Sequence, residues 1–407
     1  MYITRPDVKG QLLELTANTP QQLRQTNMSA ILSVMRRSGA LTGTDLIEAT
    51  GLARATVIAV CDDLIQAGWV RELPAQRTAV QKGRPARVFE FDAAAGVVVG
   101  LDFGVAKTTA LVADLRGNIL AKATESLSEF SAPDAERLAS IDKAIRTALA
   151  SAGVTHEAVL VAGLGIAAPV DRAGNIPHSQ PFWENFDIGI QENLRDRYGW
   201  PVLLGNDANL AAMAERWIGV AAGSDDLAVM LAGERIGFGL MESGRLLHGA
   251  SGRSGEAGLL HLVHGVGTPE GIAVLARDMA LLACKKGLPK TVLSTLAGDI
   301  TAEAVFAAAA GGDAVAARIL DDIAKRMARV ISLIATFFDP ELVVIGGAVA
   351  ESSAVLLKPL QAELTTLMPN PPKVAVSTLG DAIVTLGAVR LALDYVEKHA
   401  LELVPRA

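Results

Sequence analysis

Cysteine is almost missing from this chain. Cys61 and Cys284 are the only two in 407 residues, and no CxxC pair exists. That excludes a disulfide framework and a cysteine-built zinc site, and both thiols read as small core residues. Long apolar runs are missing too. The longest uncharged apolar stretch, residues 158–170, is shorter than the ~20 residues a membrane helix needs and contains Gly163, Gly165 and Pro169. It reads as a buried strand with its turn. No basic segment followed by an apolar one stands at the N-terminus, so no signal peptide is expected and the cytoplasm is the expected location.

What is present is apolar bulk and length. Half the residues are hydrophobic and a fifth are charged, which favours a packed core over disorder. A chain of 407 residues is expected to form two or three compact units. The net charge of −7 is unevenly spread. Residues 1–92 hold 11 Lys+Arg and 9 Asp+Glu, a charge of +2, and the remainder holds 26 and 35, a charge of −9. A slightly basic head on an acidic body suits a separate nucleic-acid module.

The head reads as three helices and a hairpin. Met28, Ile31, Leu32 and Met35 recur at helix spacing over residues 23–37, and Ser38-Gly39 stops that helix. Thr42 or Thr44 caps a second short helix with Leu46, Ile47 and Ala49. Thr50-Gly51-Leu52 turns the chain, and a third helix runs over residues 53–67 with Val57, Val60, Cys61, Leu64 and Ile65 inward. This is a helix-turn-helix. Residues 69–73 and 87–91 read as two antiparallel strands, joined by Gln81-Lys82-Gly83-Arg84-Pro85-Ala86, a basic wing on a Gly/Pro backbone. The third helix would present Arg54, Ala55, Thr56 and Ala59 to the major groove. Lys82, Gly83, Arg84 and Arg87 would serve the minor groove and phosphates. Ala53 stands where a capping Ser or Thr is expected.

From Ala95 onward strands and helices alternate, which argues for an α/β fold with a mixed sheet. Residues 96–104, 108–114 and 119–125 read as strands, residues 135–152 as a helix and residues 159–166 as another strand. Residues 201–204 lead into Gly205-Asn206-Asp207-Ala208-Asn209 and a helix. A second strand–turn–strand covers residues 228–240, and Leu342-Val343-Val344-Ile345 runs into a glycine pair. Two lobes that each open with a hairpin suggest an internal duplication, with a ligand cleft between them.

Five motifs in order carry a resemblance over nearly the whole chain: Leu101-Asp102-Phe103-Gly104, residues 163–171 (GLGIAAPVD), Gly205-Asn206-Asp207-Ala208-Asn209, Ser254-Gly255-Glu256-Ala257-Gly258, and residues 339–347 (DPELVVIGG). The chain resembles the ROK family of repressors, open reading frames and sugar kinases, and its wing is similar to the repressor branch. The resemblance implies an α/β architecture: an N-terminal winged helix-turn-helix plus a two-lobed actin-like, ribonuclease-H-like sugar-kinase fold. The expected DNA-binding domain is 1–92 and the effector and dimerisation domain 93–407. Lobe 1 would take about 93–205 plus helix 382–400, and lobe 2 about 206–381.

The resemblance also places Asp207 at the family's catalytic base and Asn206 at a sugar contact. The phosphate loops depart from the family. Asp102-Phe103-Gly104-Val105-Ala106 replaces Asp-x-Gly-Gly-Thr, and Gly233-Glu234-Arg235-Ile236-Gly237 replaces Gly-Thr-Gly-x-Gly. Glu234 sets an anion where a triphosphate would sit. Two unit charges ~4 Å apart repel by about 4 kcal/mol at an effective dielectric of 20, roughly a thousandfold in rate. Loss of turnover is therefore expected, with Asp207 vestigial as a base. Leu259 stands at the family's zinc-site His position and no cysteines follow, so neither metal nor cofactor is expected; His261 and His264 read as surface or packing residues.

Glu256 and Glu270 match the family's sugar-facing carboxylates, although Glu256 also suits a backbone cap. Asn206, Asp207, Glu256, Glu270, Ser179 and Trp183 are the expected effector contacts. The resemblance implies a transcription regulator of carbohydrate genes, a repressor in the family's usual sense, with an inactive sugar-sensing body. The alternative is an active sugar kinase with an attached DNA-binding head. The expected partners are a palindromic DNA operator, a sugar effector and a second copy of the chain, as a homodimer or dimer of dimers, with no membrane.

Overall fold

The computed structural model describes residues 20–74, 86–127, 132–177, 180–286, 291–296, 299–347, 350 and 352–405. They form two compact units. One comprises residues 20–93 with His399–Pro405, the other Ala94–Lys398.

The first unit begins with α1 (Pro20–Arg37), followed by β1 (Leu41–Thr42), α2 (Gly43–Thr50), α3 (Arg54–Gln66), β2 (Val70–Leu73) and β3 (Val88–Phe91). Thr42 fixes the start of α2 through a capping box: its hydroxyl accepts from Asp45 N, and the Asp45 carboxylate accepts from Thr42 N at 2.7 Å. Gly51 ends α2 in the left-handed region at φ 68, which lets the chain turn at once into α3. Val57, Val60, Cys61 and Leu64 of α3 are buried against Ile31, Leu32, Met35 and Leu46, as their spacing requires. Ile65, expected inward, is half-buried. The strands pair in the order β1-β3-β2, all antiparallel. Sequence reading had missed β1, because a two-residue strand has no alternation to detect. Trp69, Phe89 and Phe91 close the core from the sheet side. Burying each such side chain contributes about 1.5–3 kcal/mol. Pro405 of the C-terminal segment lies against Gly68 in this same unit.

The second unit repeats one sheet plan twice. β4 (Val97–Phe103), β5 (Lys107–Asp114) and β6 (Ile119–Ser126) form an antiparallel meander; α4 (Asp134–Ala152) then leads to β7 (Val159–Ile166). The short α5 (Pro181–Glu184) and α6 (Ile190–Tyr198) precede β8 (Val202–Asn206), giving the order β6-β5-β4-β7-β8. The connecting helix α7 (Asp207–Ile218) follows without a loop. β9 (Leu227–Leu231), β10 (Gly237–Glu242) and β11 (Arg245–Leu246) form the second meander. Helices α8 (Ile272–Lys285), α9 (Ala302–Ala310) and α10 (Ala314–Phe338) precede β12 (Leu342–Gly346), and α11 (Leu357–Leu367) precedes β13 (Lys373–Val376). The second order is β11-β10-β9-β12-β13. In both sheets the first two pairings are antiparallel and the last two parallel. The expected duplication is therefore present as two sheets of one topology, each with its own apolar core.

The final helix, α12 (Ile383–His399), lies on the first sheet. A Cβ at Gly163 would collide with the Ala388 carbonyl, so this close approach needs glycine. α7 lies on the second sheet in the same manner, with Gly239 beneath Ala208. The two helices meet where Gly387 abuts the Leu210 backbone. Among the described residues, no helix is long and apolar enough to cross a membrane.

Candidate functional site

Two candidate sites emerge, one in each unit. In the first, α3 buries one side and exposes the other: Arg54, Ala55 and Ala59 are exposed and Thr56 is half-buried. Ala53 caps α3 only with its backbone, so no side chain covers the first-turn N–H groups. They remain open to water or to a phosphate oxygen beside Arg54. Arg87, expected to face DNA, is engaged within the unit. Its guanidinium donates to Glu72 at 2.9 and 2.7 Å and to Asp62 at 2.7 Å, and it lies 4.9 Å over the Phe89 ring. Hydrogen bonds donated to Glu72 and then to Asp62 hold its pKa well above the ordinary value. Arg71 is similarly bound to Glu90, and Arg24 to Asp63. Lys82, Gly83 and Arg84 lie outside the described residues.

In the second unit, the parallel strands β4, β7 and β8 end level with one another. Asp102, Gly165 and Gly205 share one row of the register, which puts Asp102 beside the β8–α7 junction. Asn206 is the last residue of β8 and the N-cap of α7: its Oδ1 accepts from Asn209 N at 3.1 Å and its Nδ2 donates to Ala168 O at 3.2 Å. Its amide is thus already occupied in holding the junction. Asp207 follows as the first helical residue, its Oδ1 accepting from Ala208 N at 2.8 Å.

Three carboxyls share this hollow. Burial raises Asp207 to about 6, against the hydrogen bond from Ala208. Burial first, and then the charge of Asp207, raise Asp102 to about 7, with Lys107 opposing. Glu256 is likewise raised to about 7, by burial and then by Asp207, with Arg235 and Arg253 opposing. Glu256 itself is exposed to solvent, which moderates the effect of its surroundings. Lys107 also bonds Asp381 at 2.9 Å, just before α12.

The loop 233–237 gathers the other expected contacts. Arg235 bridges to Glu270 and Gly237 to Glu256, so both carboxylate-bearing segments are stitched to one loop. Glu270 Oε2 is buried and has no hydrogen-bond partner among the described residues. A buried acceptor without a donor is costly, which suits a ligand hydroxyl at this point. The N–H groups of Gly271, Ile272 and Ala273, at the start of α8, donate to the carbonyls of Glu234, Ala232 and Gly233. These amides bind the loop itself and are not aimed at a phosphate.

Trp183 is only 7% exposed and packs in the core of the first lobe, with Arg253 over its ring, so little of its face is offered to a ligand. Ser179 lies outside the described residues. Leu259 is 68% exposed, and His261 Nδ1 lies 3.3 Å from Gly258 O. Three members of the hollow were not foreseen as contacts. Asp102 had a signal, as the one acid ending an apolar strand. Arg235 had none, since only folding brings it beside Glu256, whereas Arg253 stands three residues before Glu256 in the sequence.

Comparison with known proteins agrees with this geometry. The chain is 23% identical to the xylose repressor of Caldicellulosiruptor bescii over 395 residues, covering 91% of this chain and 96% of that one. It is 32% identical to the glucokinase of Halalkalibacterium halodurans over 219 residues, but these cover 49% of this chain and 65% of the kinase. Among solved structures, a ROK family transcriptional regulator, a homologue of the E. coli MLC protein, superposes with a TM-score of 0.75 at 21% identity. It covers 93% of this chain and 98% of that one, and the likeness establishes the shared fold. The ROK family profile matches residues 98–395. With its doubled sheet and its five motifs in place, this chain belongs to the ROK family.

Proposed function

We propose that the chain is a DNA-binding transcription regulator of carbohydrate genes, acting as a repressor, whose ROK body senses a sugar without phosphorylating it. The observation that carries this reading is a helix-turn-helix unit, with Arg54, Ala55, Thr56 and Ala59 along the outer side of its third helix, on a chain whose remainder matches the ROK family. The xylose repressor aligns through both parts, whereas the glucokinase aligns with about half. Arg54, Thr56 and the wing residues Lys82, Gly83 and Arg84 are the proposed DNA contacts, with Arg87 supporting the wing base. Asp207, Glu256 and Glu270 accept hydrogen bonds from sugar hydroxyls, and Asn206 positions Asp207.

The action follows from the plan of the body. A sugar held by groups from both lobes favours a closed cleft by its differential affinity for that state. In a homodimer on a palindromic site, closure changes the spacing of two reading heads and releases the operator. Expression in the cytoplasm, where the operator lies, belongs to the same reading. Gel shifts on the DNA upstream of the chain's own gene, repeated across a sugar library, test it: one sugar releases the complex. Failure to bind that DNA, or any operator selected from random sequence, removes the reading.

A second reading keeps a kinase, because Asp207 is retained and its pKa is raised toward neutrality, as suits a base. Glu234 and the self-bonded amides at the start of α8 weigh against it. ADP release with a sugar panel separates the two, and turnover abolished by Asp207→Asn establishes the kinase.

A further inference from the structure

The segment that carries Glu270 has little regular structure of its own, and Gly265 and Gly267 within it both stand in the left-handed region, at φ 75 and 78. Its carbonyls are held from outside. Pro269 O accepts from Ile236 N at 3.0 Å, on the 233–237 loop. Thr268 O and Glu270 O both accept from the Arg326 guanidinium, the second at 3.4 Å. Gly265 O accepts from Arg329 Nη1 at 3.3 Å. Arg326 and Arg329 stand three residues apart on α10, and so share one side of that helix. α10 in turn buries Ile323, Met327, Val330 and Ile331 in the core of the second lobe, which gives the two arginines a fixed mount. Neither arginine belongs to the five motifs.

A guanidinium carries its donors in a planar fork, so one side chain can span two carbonyls; an ammonium has no such fixed geometry. Arg326 is half-buried, and a carbonyl that loses its donor away from bulk water is costly. Burial lowers the Arg326 pKa and the charge of Glu270 opposes this, so the two side chains also feel each other electrostatically. Glu270 Oε2 has no hydrogen-bond partner among the described residues, so what aims this oxygen is the backbone that carries it. We propose that Arg326 is a positioning residue for effector recognition: by clamping the carbonyls of Thr268 and Glu270 to α10, with Arg329 holding Gly265, it sets where the Glu270 carboxylate meets a sugar hydroxyl. This rests on the sugar-sensor reading and adds to it a residue that acts from behind the site.

Calorimetric titration of the full chain with xylose, glucose, galactose, mannose and N-acetylglucosamine selects the sugar for the test. Arg326→Gln is expected to weaken its binding about tenfold, and Arg326→Lys to recover part of the loss. Double-mutant cycles separate positioning from general damage. Adding Glu270→Gln to Arg326→Gln is expected to cost little beyond the larger single loss, because both act through one carboxylate. Adding Glu256→Gln is expected to multiply the losses, because Glu256 lies outside the braced segment. Amide hydrogen exchange over residues 263–271 is expected to quicken in Arg326→Gln; if that variant does not fold, Arg326→Lys carries the same comparisons. Sugar affinity unchanged at 326, losses at 326 and 270 that multiply, or losses at 326 and 256 that do not, overturn the positioning role and leave the sugar sensor standing. Exchange unchanged over 263–271 overturns the brace whether or not a sugar binds. A natural chain that binds none of these sugars overturns the sensor reading and this role with it.

Discussion

Removing the charge of Asp207 should make the unliganded protein more stable, although it should end sugar recognition. The sign follows from linkage. Asp207 has a folded pKa of about 6 against an ordinary 3.8. Between these values the unfolded chain has released its proton while the folded one retains it, so stability falls as pH rises through this window and the loss is complete above it. A rise of this size corresponds to about 3 kcal/mol at 1.36 kcal/mol per pH unit. Solvent reaching a half-buried carboxyl reduces the figure to about 1–3 kcal/mol. Asp207→Asn keeps the acceptor for Ala208 N and removes the ionisation. It also relieves Asp102 and Glu256, both of which the Asp207 charge pushes up. Urea unfolding of the full chain, followed by the fluorescence of Trp183, Trp200 and Trp217, measures the body's transition. The variant should match the natural chain near pH 4, gain through pH 6, and hold an advantage of about 1–3 kcal/mol at pH 8. A variant no more stable at pH 8, or offset equally at pH 5 and pH 8, would refute the claim that this carboxyl is desolvated.

Arg54→Ala should weaken operator binding by about 1–3 kcal/mol and relax specificity, whereas Arg84→Ala should weaken binding to all sequences and reduce the salt slope by about 1; fluorescence anisotropy at several salt concentrations measures both. Thr42→Ala removes the capping hydroxyl at the start of α2 and should destabilise the head by about 1 kcal/mol while leaving the body's melting unchanged. Glu256→Ala should abolish the rise in melting temperature caused by the effector, which a thermal-shift titration reads directly. Gly163→Val should prevent α12 from seating on its sheet, seen as loss of the cooperative body transition.

The parts legible in the sequence were those governed by local pattern. Val57, Val60, Cys61 and Leu64 announced the buried side of α3 by spacing alone, and an uninterrupted apolar run marked β7 at both of its ends, Val159 and Ile166. The glycine turn at Gly51 was equally local. Chemistry that depends on tertiary approach was not legible. Arg87 reads as a free cation beside a basic wing, but the fold brings Glu72 and Asp62 to it. Trp183 reads as an aromatic near a sugar cleft, but its apolar neighbours claim most of its surface. Asn206 reads as a ligand contact, and the N–H of Asn209 claims its oxygen. What the neighbours leave available was set by the folded surroundings: for Arg87 by acids 15 and 25 residues away, for Asn206 by the cap geometry three residues on.

The meeting of α7 with α12 has a mechanical consequence. Each sheet owns one of these helices, and the two rest against each other at a position where Gly387 contributes no side chain. Under the proposed closure such a contact would serve as a bearing, since residue 387 puts no side chain between the two helices. A bulky residue introduced at 387 would act as a wedge in that bearing, fixing the angle between the lobes and silencing the sensor while its sugar groups stay intact.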